Sequence, residues 1–225
     1  MNKSLRVVLL VFSAQIAGGT SWAKDPSVEL VDKADKAADQ FEFIWSGKIG
    51  TSKGLLDDQL ALQRRLQKLL PNSSIKLDAL CTSNLLSAED RLLLNRSGEL
   101  LLEFKTAMNG ETQSYASWKK QYSDAAANGS PYDIRLSLYE KLVWSRARSR
   151  MLITVSTVFD NDYAFHQTRV QNSCAVNRIL AEQSPAPDKV KLLALREHLK
   201  TELNTPASKF YDFYHETLSI ILSMP

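Results

Sequence analysis

The stretch Tyr132–Ser184, YDIRLSLYEK LVWSRARSRM LITVSTVFDN DYAFHQTRVQ NSCAVNRILA EQS, contains neither glycine nor proline. No residue in it obliges a helix to stop. Its apolar side chains recur at three and four rather than at two, which is the period of an α-helix. As one unbroken helix the segment would extend about 80 Å at 1.5 Å per residue, a rod that a compact domain does not use. The polar triplet Asp160-Asn161-Asp162 is the natural break, because these side chains favour caps over helix interiors. The segment therefore reads as two helices, Pro131 to Phe159 and Asp162 to about Glu182. Ser130-Pro131 opens the first with a cap and a proline at N1. Leu138, Leu142 and Leu152 share its inner face and make it the centre of the domain.

The rest of the chain is punctuated in the same way. A stripe of Val28, Val31, Ala34, Ala38, Phe41 and Trp45 predicts a helix from about Ser27, which Gly47, Gly50 and Gly54 end in a loop. Leucines from Leu55 to Leu70 carry the next helix until Pro71, and a short helix around Ile75 to Leu85 holds Cys81. Ser87 with Asp90 three residues on is a capping signal for a leucine-rich helix to about Met108. Asn109-Gly110 breaks it, and a more polar helix with Tyr115, Trp118 and Tyr122 on its buried side runs on to Asn128-Gly129. Ser184-Pro185-Ala186-Pro187 is a linker, and Thr205-Pro206 starts the last helix. The expectation is an all-α, single compact domain of about eight helices.

Address and covalent chemistry follow from the beginning of the chain and its two cysteines. Lys3 and Arg6 precede an apolar run from Val7 to Phe12, and Ser21-Trp22-Ala23 puts small residues where signal peptidase reads. This is the pattern of a Sec-type signal peptide over residues 1–23, cleaved after Ala23, leaving 24–225 as the helical domain in the periplasm or outside the cell. No later segment approaches the ~20 apolar residues of a membrane helix. In an oxidising compartment Cys81 and Cys174 should be bonded to each other, which ties the third helix to the sixth. The bond closes a loop of 93 residues, worth about 4 to 5 kcal/mol by chain entropy. Without Lys3 and Arg6 the basic residues number 26 against 25 acidic, a net charge of +1. Both signs are interspersed, so nucleic acid is not a favoured partner.

Few constellations suggest chemistry. In the last helix Asp212, His215 and Glu216 share a face at i, i+3 and i+4, half of a metal site that lacks a further ligand, or else a solvated polar face. His166 lies on the line of Val170 and Cys174 and reads as a core or boundary histidine, with Asp162 at i−4 able to orient it but no nucleophile beside it. Ser73-x-x-Lys76 and Ser117-x-x-Lys120 match a serine-lysine pattern without its companion motifs. The Glu-Ser dipeptide of transglycosylases is absent. The exported chorismate mutases are similar in outline, small, helical and disulfide-linked. Their site draws an arginine from the first helix, where this chain offers Lys33 and Lys36, its first arginine after the signal being Arg64.

The least ordinary internal segment is Trp144-Ser-Arg146-Ala-Arg148-Ser-Arg150. One reading pairs these arginines with carboxylates of neighbouring helices. The other makes them an anion or acidic-partner surface together with Tyr139, because the guanidinium fork suits carboxylates and these residue types dominate interfaces. Trp144 lies off the Tyr139–Arg146–Arg150 line and can instead be core. The functional expectation is a protein that binds another exported protein, as an inhibitor or immunity protein or as an accessory or chaperone protein, with no cofactor. A small helical enzyme acting on an anionic metabolite or the cell wall, and a metal or ligand carrier, are the alternatives.

Overall fold

The computed structural model describes residues 25–70, 81, 86–182, 188–201 and 207–225. The signal segment, the short helix expected around Cys81, the Ser73-x-x-Lys76 tetrapeptide, the Ser184–Pro187 linker and the Thr205-Pro206 start lie outside these residues. The described residues form one all-helical domain of five helices: α1 (Pro26–Leu69), α2 (Ala88–Ala127), α3 (Tyr132–Glu182), α4 (Lys189–Thr201) and α5 (Ala207–Leu222). Among the described residues five helices stand where the sequence reading expected more, because three of the expected interruptions do not interrupt.

The first is Asp160-Asn161-Asp162. α3 runs through it as a single helix of 51 residues, about 77 Å long. The second is the glycine cluster: Gly47, Gly50 and Gly54 lie inside the 44-residue α1, and the third, Asn109-Gly110, lies inside α2. Each helical glycine costs about 1 kcal/mol relative to alanine, and packing on the opposite side outweighs that. In α1, Ala38, Trp45, Ser52, Gln59 and Leu66 are all buried and stand seven residues apart. In α3 the same spacing carries Trp144, Met151 and Val158 in one row, and Asn172 with Ile179 further along it, all buried. A strict seven-residue repeat is the seam of helices wound together at a shallow left-handed angle, and a long rod is stable when partners cover it along its length.

Polar contacts fix the directions. Arg150 grips Asp39 and Glu42, and Asn172 Nδ2 donates to the Gln59 carbonyl at 3.0 Å, so α1 runs parallel to α3. Arg169 pairs with Asp90 and Arg148 with Glu111, so α2 runs antiparallel to it. α3 is thus the spine between α1 and α2. α5 lies on α2 and α3, and α4 packs mainly on α3.

Two apolar clusters fill the domain. One is aromatic, with Phe41, Trp45, Phe104, Phe159, Phe210 and Tyr214. The other holds Leu66, Val170, Cys174, Val176, Ile179, Leu192 and Leu199, with Cys81 packed against it. Leu152 is buried in the first, while Leu138 and Leu142 are half-buried. Cys81 and Cys174 are disulfide-bonded with Cα atoms 5.4 Å apart, so the bridge anchors Cys81 to the single long α3 rather than to a separate sixth helix. Capping follows the sequence where it was legible: Ser87 accepts from the Asp90 N–H at 3.0 Å, and Gly129 ends α2 at φ +63°, a conformation glycine adopts without steric cost. Among the described residues no helix is long and apolar enough to cross a membrane.

Candidate functional site

The arginine segment divides into three environments. Trp144 is buried in the aromatic cluster. Arg148, turned inward, donates from Nε to Glu111 Oε1 at 2.8 Å and from Nη2 to Oε2 at 3.3 Å, while Nη1 donates to the backbone oxygens of Met224 and Pro225. Glu111 also accepts from Ser145 Oγ at 2.7 Å. This network locks α2, α3 and the residues after α5 together.

Arg150 faces α1. Its Nε and Nη2 donate to Glu42 at 3.0 and 2.7 Å, and Nη2 also donates to Asp39 at 2.6 Å, with Asp35 at 3.5 Å. The Glu42 and Asp39 carboxylates push the guanidinium pKa up, against a smaller opposing effect of burial. Arg146, one turn earlier, is exposed and makes no hydrogen bond or ion pair among the described residues. Tyr139 is half-buried, its ring 5.5 Å from that of Tyr122. Around the Arg150 cluster stand two exposed apolar side chains: Phe43, next after Glu42, is 81 % exposed, and Ile153, one turn beyond Arg150, is 56 % exposed. Arg146, Phe43 and Ile153 are thus exposed on the two helices that the Arg150 cluster joins, a cluster in which one guanidinium meets three carboxylates.

Asp212, His215 and Glu216 are exposed on α5. His215 Nδ1 lies 3.0 Å from Glu103 Oε2 of α2, and Tyr211 donates to the same carboxylate at 3.2 Å. Among the described residues no three His, Cys, Asp or Glu side chains converge as a metal site would require. His166 is buried between the rings of Phe165 and Phe210. Burial and then Arg169 push its pKa down to about 4, with Asp90 opposing, so it is neutral at pH 7.

One further site escaped the sequence reading. A cleft of about 310 Å³ opens between α1, α3 and α5, lined by Gly47, Lys48, Thr51, Ser52, Leu55, Val158, Asp162, Phe213 and Tyr214. Lys48 Nζ sits 4.5 Å from the centre of the Trp45 ring and 4.3 Å from that of Phe213, and burial lowers its pKa. Asp162 Oδ2 accepts from the Tyr214 hydroxyl at 2.5 Å. Burial raises the Asp162 pKa, opposed by that hydrogen bond and by Lys48. The glycine cluster hid this site: read as a loop, it removed Lys48 from any helix face. The signal that could have found it is the seven-residue row through Ser52 and Gln59, which keeps α1 helical and puts Lys48, Thr51 and Leu55 on one flank.

Comparison of the chain with protein-family models, with curated proteins and with solved structures finds no match.

Proposed function

We propose that this is an exported helical protein that acts by binding another exported protein, through a surface of α1 and α3 that includes the exposed side chains of Arg146, Phe43 and Ile153. The signal pattern of residues 1–23 supports the compartment. The observation that carries the binding role is the state of Arg146: exposed and without a carboxylate partner among the described residues, whereas Arg148 and Arg150 two and four residues on are each committed to acidic partners. An exposed guanidinium, together with exposed aromatic and branched apolar side chains on the same pair of helices, has the composition of an interface hot spot. The fixed Arg150 cluster beneath it preorganises the surface. An inhibitor or immunity protein against a secreted toxin, or an accessory or chaperone protein for a co-exported partner, would use such a surface.

The test is affinity capture of tagged residues 24–225 from periplasmic extract, in parallel with Phe43→Asp. The proposal expects a partner retained by the parent and absent with the variant. Equal recovery by both would remove this face from the account. The cleft at Lys48 favours a second reading, binding of a small ligand.

A further inference from the structure

We propose that the cleft between α1, α3 and α5 binds a small zwitterion with an apolar body, of the class of a free α-amino acid carrying an apolar side chain. At about 310 Å³ it stands at the lower end of the roughly 300–1,000 Å³ of small-molecule sites. Its size therefore selects a compact ligand.

The polar groups define the ends of that ligand. Lys48 donates to no hydrogen-bond acceptor among the described residues and is held over the faces of Trp45 and Phe213. Of the Asp162 carboxylate, Oδ2 accepts from Tyr214 at 2.5 Å, while Oδ1 accepts no hydrogen bond among the described residues. Lys48 and Asp162 attract each other across the cleft without a hydrogen bond between them among the described residues, so the ammonium and Oδ1 each keep a hydrogen-bonding position that a ligand can take. A ligand that displaces water must satisfy both, since a charged group deprived of solvent without a partner is costly. A simple anion would satisfy Lys48 and be repelled by Asp162, and a simple cation the reverse. A zwitterion answers each with its opposite charge.

The walls define the body. Leu55, Val158 and Phe213 are apolar, and Gly47 leaves its part of the wall bare, with nothing within 4 Å of the position its Cβ would take. The hydroxyls of Thr51 and Ser52 donate to Gly47 and Ile49 carbonyls of their own helix and offer only acceptor lone pairs to the cleft. Burial that disfavours the Lys48 ammonium is the condition under which a ligand carboxylate gains most from meeting it.

Calorimetric titration of residues 24–225 with L-leucine and L-phenylalanine, with their N-acetyl derivatives and with their methyl esters tests this. Parallel titrations use Lys48→Met and Asp162→Asn, each checked for helical circular dichroism. The proposal expects binding of at least one free amino acid, weakened tenfold or more by either blocking group. Lys48→Met should weaken the ester less than the parent amino acid, because the ester has already lost the carboxylate. An absence of binding by both amino acids overturns the proposal, as does equal affinity for a blocked derivative. If Asp162→Asn fails to fold, the analogue series on the unmodified protein gives the same decision.

Discussion

The hydroxyl of Tyr214 donates to Asp162 Oδ2 at 2.5 Å, fastening α5 to the middle of α3 at the triplet that local propensity would have made a break. A hydrogen bond to a charged group is worth about 1.5 to 3 kcal/mol, and a buried acceptor left without its donor adds to the loss. Tyr214→Phe should therefore lower stability by about 2 kcal/mol, read as a lower urea midpoint at unchanged slope. An unchanged midpoint would mean that this bond contributes nothing.

The three arginines should separate by environment. Arg148 and Glu111 are nearly buried, and removing one partner of such a pair costs about 3 to 5 kcal/mol. Arg150 is more exposed, so Arg150→Ala should cost about 1 kcal/mol after solvent screening. Arg146→Ala should stay within about 0.5 kcal/mol. Chemical denaturation of the three variants measures the order, and a destabilised Arg146→Ala would give that residue a structural role.

The Cys81–Cys174 bond should leave no titratable thiol in denatured, unreduced protein. Cys81→Ser with Cys174→Ser should cost about 4 to 5 kcal/mol by loop entropy over a sequence separation of 93. Thermal melts with and without reductant give the same comparison, and coincident melts would remove the bond from the stability account.

Acid should weaken the fold through His166. Its pKa is about 4 when folded against about 6.5 unfolded, so between those values the unfolded chain binds the extra proton. Stability is full above pH 6.5 and falls as pH drops towards 4, by about 3 kcal/mol. Stability measured across that window should flatten in His166→Leu, and an unchanged slope would assign the acid sensitivity to other groups.

Helix content, the Ser87 and Gly129 boundaries and the disulfide partners were legible because each rests on local chemistry or on cysteine count. Helix lengths were not. The seams that carry α1 and α3 through their expected breaks turn polar at Ser52, Gln59, Arg169 and Asn172, all buried, so a reading that counts only apolar residues loses the period there. What restores it is tertiary: Asn172 meets Gln59, Arg169 meets Asp90, and Asp162 meets Tyr214. The arginine pairs were legible as an alternative, because carboxylates are frequent on predicted neighbouring helices. Which arginine stays free depends on the register of α1 against α3, which no local signal carries. Lys48 and Tyr214 were missed as site residues because the cleft exists only when α1 continues and α5 docks.

The most direct test of the binding role is the affinity of the captured partner for the parent protein and for Arg146→Ala, measured by surface plasmon resonance with both proteins shown to melt alike. A hot-spot arginine costs about 2 kcal/mol or more on truncation, so the account predicts a Kd at least about 30-fold weaker. A Kd within twofold of the parent would contradict it.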